Sequence, residues 1–276
     1  MALKDIRAGA HTLRFDRTLI MGVLNVTPDS FSDGGLYVNT DLAVEHALRM
    51  VRDGADIIDI GGESTRPGAP SVTAGEELNR VRPVIQRLAK EAGVPLSIDT
   101  YKHQVASECV KLGANMINDI TGLTDKKMIK VASDAKVPVV IMHMKGLPQT
   151  MQTNPVYADV VQEVKLFLQG RVELAHDLGV DDVIVDPGIG FGKTTEHNLK
   201  LIKNLGEFRS LGCPILVGPS RKSFIGNITG LPADARMEGT LAAVAISIAN
   251  GANIIRVHDV AECKKAAQIA DAIKGA

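Results

Sequence analysis

The chain has 276 residues, of which 45% are hydrophobic and 23% charged, a globular balance that excludes extended disorder, collagen-like repeats and long coiled coil. Lys and Arg number 31 against 32 Asp and Glu, a formal net charge of -1, so nothing in the overall charge draws the chain to nucleic acid or an anionic membrane. Any anion site must be local. The length suits a single barrel-sized domain over 1–276. Cys109, Cys213 and Cys263 lie far apart and match no zinc or disulfide spacing, which reads as free thiols in a reducing compartment. The first ten residues carry Lys4, Asp5 and Arg7 in place of a signal-peptide core, and no stretch approaches ~20 uncharged apolar residues. The expected address is the cytoplasm, with no membrane partner.

In chain order, polarity alternation at 11–15 predicts a short hairpin. Short runs rich in β-branched residues then alternate with longer amphipathic stretches. Strands are expected at 19–26, 56–60, 95–99, 116–119, 137–142, 182–186, 214–217 and 253–256. Helices are expected at 41–52, 76–92, 102–112, 126–135, 160–178, 196–204, 236–249 and 260–273. Glycines at 54, 113, 179 and 251 mark helix ends. The segment 145–158 has no period, and Pro148 and Pro155 argue against helix there. Eight βα repeats predict an α/β fold, a single-domain (β/α)8 TIM barrel, its bottom closed by the hairpin and its ligand site at the C-terminal ends of the strands. A doubly wound open sheet is the alternative, although no G-x-G-x-x-G follows the first strand.

In such a barrel the polar residues just after each apolar run carry the chemistry. Asp99, Asn118 and Asp186 converge on one mouth as hydrogen-bond acceptors, which suits a heteroaromatic ligand offering several N–H donors. Each could instead cap the following helix. Arg66, Arg221, Lys222, Arg256 and His258 form a cationic rim suited to phosphate or diphosphate, or else pair with local acids. Arg256 and His258 are two apart on one strand, so both face the mouth. Gly34-Gly35 and Gly61-Gly62 free the backbone for close approach to a ligand. Asn25 can support a magnesium ion held mostly by diphosphate oxygens and water. His143, between Met142 and Met144, reads as a packed histidine. No Ser-His-Asp or Cys-His arrangement is visible.

The runs 21–35 (Met-Gly-Val-Leu-Asn-Val-Thr-Pro-Asp-Ser-Phe-Ser-Asp-Gly-Gly) and 59–68 (Asp-Ile-Gly-Gly-Glu-Ser-Thr-Arg-Pro-Gly) resemble the two signature loops of the dihydropteroate synthase family. The likeness continues in order through 97–100, 117–119, 186–193, 218–223 and 256–258, so it covers nearly the whole chain. It implies an enzyme of folate synthesis that joins 7,8-dihydropterin-6-ylmethyl diphosphate to 4-aminobenzoate, with magnesium, as a homodimer. Asp99, Asn118, Asp186 and Lys222 would bind the pterin, with Ile120, Met142 and Gly218 lining the slot and Arg256 covering the ring. Asn25, Thr65, Arg66, Arg256 and His258 would hold the diphosphate, and Asn25 its magnesium. Thr65, Arg66, Pro67, Phe191, Lys222 and Ser223 would shape the 4-aminobenzoate site, where sulfonamides compete. Loops one and two, Asp33 included, would form a closing lid. Two other readings remain: a pterin-binding methyltransferase domain of the corrinoid-dependent type, and a barrel that binds a pterin without catalysis.

Overall fold

The computed structural model describes residues 3–27, 36–65, 68–148 and 150–276. A two-stranded antiparallel hairpin, β1 (Ile6–Ala8) and β2 (His11–Leu13), opens the chain. The repeats follow as β3 (Leu19–Asn25), α1 (Leu36–Arg52), β4 (Ile57–Gly61), α2 (Ala74–Glu91), β5 (Leu96–Asp99), α3 (His103–Lys111), β6 (Met116–Asp119), α4 (Lys126–Ala135), β7 (Val139–Met142), α5 (Val160–Asp177), β8 (Val183–Asp186) and α6 (Thr195–Lys203). The chain ends with β9 (Leu216–Val217), α7 (Ser223–Thr229), α8 (Met237–Ala249), β10 (Ile254–Val257) and α9 (Val260–Gly275).

The eight strands β3 to β10 are parallel and hydrogen-bonded in the order β8-β7-β6-β5-β4-β3-β10-β9. A parallel bridge between Val185 and Ile215 joins the two ends of that order, reinforced by Val185 N–H donating to the Pro214 carbonyl at 2.9 Å. The ring is therefore closed, which sets aside the open sheet. Every strand expected from the sequence is present, though the seventh is pared to two residues.

Strand periodicity builds two cores. Outward residues such as Ile20, Ile58, Ile98, Ile117, Val139, Val185, Val217 and Ile255 pack under the helices. Inward residues Leu19, Met21, Ile57, Met116, Val140, Ile184, Leu216 and Ile254 fill the barrel's lower half, and Ile6, Ala8 and Leu13 of the hairpin plug it from below. Two residues further along four of the strands the inward position changes character. Ile57 gives way to Asp59, Met116 to Asn118, Ile184 to Asp186 and Ile254 to Arg256. One polar layer thus rests on one apolar layer, because side chains two apart in a strand share a face.

The helices seat this ring. Thr73 accepts from Glu76 N–H at 3.2 Å while the Glu76 carboxylate accepts from Thr73 N–H at 2.8 Å, a reciprocal cap at the start of α2. Three helical elements among the described residues exceed the expected set, one of them a short 3-10 turn at Ala233–Ala235. A 3-10 turn covers Leu205–Leu211 and buries Phe208 completely. Helix α7 follows β9 at once, with Lys222 at its cap position. Helix α1 begins five residues before its expected start.

Candidate active site at the strand ends

The polar layer is held by one partly buried guanidinium. Arg256 donates from Nε to Asp59 at 2.6 Å and from Nη2 to Asp99 at 2.6 Å. The same Asp59 oxygen accepts from the Asn118 amide at 3.0 Å. Strands β4, β5, β6 and β10 are thereby tied at one level. Asp59 was not among the residues expected from the strand ends, since it lies mid-strand. A carboxylate enclosed by Ile57, Ile58 and Ile60 was the signal available, because such a charge is costly to bury without a partner.

Asp99 and Asn118 do not cap helices. The cap position of α3 is Lys102 and that of α4 is Asp125. Asp186 accepts from Gly188 N–H at 2.7 Å, and α6 is capped by Thr194. The three expected acceptors therefore share the inner face of the mouth, as does Met142, whose register partner is Asp186. Burial pushes the Asp186 carboxyl up to about 6. It pushes the Asp99 carboxyl up as well, against the pull of the Arg256 guanidinium. Lys222 is driven down to about 8 by burial and by Arg256, and its ammonium sits 4.1 Å from the centre of the Phe191 ring. Ile120 is buried, and Gly218 lies beside Arg256, where a Cβ would stand in ordinary contact at 3.7 Å from the Arg256 side chain.

At the rim, His258 Nδ1 lies 3.0 Å from Ser220 Oγ, and the Ser220 oxygen also accepts His258 N–H at 3.4 Å. The serine proton is then free to go to Nδ1, leaving the ring proton on Nε2. Burial and Arg256 push the His258 imidazole down to about 4, so it is neutral at neutral pH. Asn25 stands half-buried at the end of β3, its carboxamide oxygen close to Gly61. Thr65 is half-buried and Ser223 exposed. Asp33, Arg66 and Pro67 lie outside the described residues, as do Gly34 and Gly35.

Some expectations are corrected. Arg221 is taken by Asp259, its Nε donating at 2.9 Å, so it braces the loop and leaves the rim cation set. Gly62 faces α2: a Cβ there would stand 2.8 Å from Val81 and 3.0 Å from the Glu77 carbonyl. Close helix packing, with no ligand involved, requires that glycine. The second loop is moored below Thr65, where Tyr101 donates to Glu63 at 2.9 Å, Lys102 pairs with Glu63 and Glu77, and Arg80 donates to the Gly62 carbonyl at 2.8 Å. His143 is packed as expected, with the Phe167 ring edge-on at 4.9 Å and buried Lys193 at 3.0 Å from Nδ1.

Comparison with known proteins places the chain in a family. Residues 21–258 match the family model described as pterin binding enzyme. A dihydropteroate synthase of Bacillus subtilis is 50% identical over 261 residues, covering 94% of this chain and 89% of that one. The dihydropteroate synthase of Yersinia pestis, solved as a sulfonamide drug complex, superposes with a TM-score of 0.94 at 44% identity, covering 99% of this chain and 100% of that one. That of Xanthomonas albilineans, solved with 4-aminobenzoic acid, gives 0.94 at 43% identity over the whole of both chains. With a family model spanning most of its length and relatives near half identity over nearly all of it, the chain belongs to the dihydropteroate synthases among the pterin binding enzymes.

Proposed function

We propose that the chain catalyses the reaction of its family, joining 7,8-dihydropterin-6-ylmethyl diphosphate to 4-aminobenzoate to give 7,8-dihydropteroate and diphosphate. The observation that carries this reading is the set of three acceptors, Asp99, Asn118 and Asp186, beside two partly buried cations, Lys222 and Arg256. A pterin edge presents N–H donors to the acceptors, while a diphosphate brings negative charge to the cations.

The work is charge stabilisation at both ends of a breaking C–O bond. Carboxylates of Asp99 and Asp186 attract N–H groups more strongly as positive charge spreads into the pterin, which favours departure of diphosphate before the amine arrives. Arg256, the Nε2–H of His258, Asn25, Thr65 and Arg66 receive the leaving group. The aniline nitrogen then forms the C–N bond and loses a proton, aligned by Phe191, Lys222, Ser223, Thr65, Arg66 and Pro67. Ile120, Met142 and Gly218 hold the ring plane.

Among the described residues no group of three or more His, Cys, Asp or Glu side chains could hold a metal by itself. The lone carboxamide of Asn25 fits magnesium, a hard cation that keeps phosphate and water oxygens as its main ligands. When bound there with diphosphate, that ion supplies further neutralisation of the leaving group.

No helix among the described residues is long and apolar enough to cross a membrane, in keeping with a cytoplasmic enzyme. Ile246 on α8 and Ile269 and Ile273 on α9 expose apolar side chains on adjoining helices, which supports a homodimer seam.

The test is diphosphate release from the pterin diphosphate with magnesium, with and without 4-aminobenzoate, while dihydropteroate is followed by chromatography. Dihydropteroate that requires both substrates supports the assignment. Pterin binding with no diphosphate release would overturn it in favour of a methyltransferase or a binding-only barrel.

A further inference from the structure

Arg256 is shared by two carboxylates that differ in one respect. Asp99 keeps 13% of its side-chain surface exposed at the mouth, whereas Asp59 is 0% exposed. A ligand entering from the strand ends can therefore reach Asp99 and cannot reach Asp59. Both bonds to the guanidinium measure 2.6 Å. When a ligand N–H claims Asp99, the Nη2 bond is the one that must loosen, while the Nε bond to Asp59 stays sealed beneath the slot.

Asp59 also sets the sense of Asn118. A carboxylate only accepts, so the Asn118 amide has to turn its NH2 group to Asp59, which sends its carbonyl oxygen the other way. The slot is then lined by three acceptors and no amide donor from Asn118. With an uncharged amide at 59, either sense of Asn118 would be satisfied.

We infer that Asp59 is a positioning residue, the fixed anchor that holds Arg256 over the slot and keeps Asn118 as an acceptor while Asp99 is exchanged between Arg256 and the pterin. The inference rests on the pterin reading of the site. Without this anchor Arg256 collapses onto Asp99 and competes with the ligand for it. The cost falls on pterin affinity, with no direct effect on the neighbouring 4-aminobenzoate site.

The experiment is a binding titration of 6-hydroxymethyl-7,8-dihydropterin together with steady-state kinetics, using Asp59→Asn, which keeps the shape and removes the charge. The expected result is a pterin Kd and KM raised by about tenfold, as for loss of a buried charge partner, with the 4-aminobenzoate KM within about twofold of the parent. In an Arg256→Ala background the same substitution should cost about threefold or less, what remains passing through Asn118. Equal rises in both KM values, an unchanged pterin Kd, or the same factor with and without Arg256 would overturn the anchor role. So would an Asp59→Asn chain that fails to fold, which would make Asp59 a stability residue. A parent protein that binds no pterin would instead sink the functional reading beneath it.

Discussion

Asp186 carries its proton up to about 6 because it is buried, and Lys222 releases its own near 8 for the same reason. The working state has the first ionised and the second protonated. As pH falls, Asp99, whose carboxyl burial pushes up to about 7, and then Asp186, near 6, take protons and stop accepting from the ring. As pH rises through about 8, Lys222 loses its charge. The rate profile for kcat/KM of the pterin substrate should therefore be bell-shaped, with its maximum between those limbs. Asp186→Asn should lower kcat/KM on the order of 10²-fold and remove the lower of the two acid steps while that of Asp99 stays; a variant that retains both steps would assign the lower one to another group. Much of this chemistry was legible from position alone, since Asp99, Asn118, Asp186 and Arg256 each stand at the end of an apolar run. Asp59 was harder to read because its role comes from contacts with Asn118 and Arg256, 59 and 197 residues away along the chain.

The loop after β8 shows how an element delivers these residues. Gly188 sits at φ +70° with its backbone against β7, and a Cβ would stand 1.9 Å from the His143 carbonyl. The turn places Gly188 N–H on Asp186, and Lys193 ties its far end to the carbonyl of Phe191 at 2.9 Å. Gly188→Ala should therefore shift the loop, raising the pterin and 4-aminobenzoate KM values together by roughly tenfold or more and lowering thermal stability as well, because this buried position adds a backbone clash to a left-handed strain of about 1–3 kcal/mol. Wild-type kinetics in that variant would show that the loop does not position the substrates. The βα repeat and the glycine-marked helix ends were readable, since periodicity is a local property. Helix α7 was not: it is seven residues long, has no side-chain cap at Lys222, and follows a two-residue strand whose extent is fixed by its neighbours β10 and β8.

At the scale of the whole molecule, the closed ring separates stability from chemistry. The lower layer from Met21 to Ile254 and the hairpin plug bury apolar surface, while the layer above it holds charge. The exposed isoleucines of α8 and α9 should join two copies. Sedimentation is expected to show a dimer that Ile246→Glu with Ile269→Glu converts to monomer; a monomeric parent protein would refute the seam. This barrel is expected to break a C–O bond by stabilising positive charge in the pterin and negative charge in the diphosphate. The most direct test is a single-turnover comparison of the substrate bearing hydrogen or deuterium on its 6-methylene carbon. A clearly normal secondary isotope effect, the hydrogen form reacting faster, is the predicted result. An effect near unity or inverse would mean that 4-aminobenzoate attacks before the diphosphate has left, and that charge stabilisation in the pterin does not drive the step.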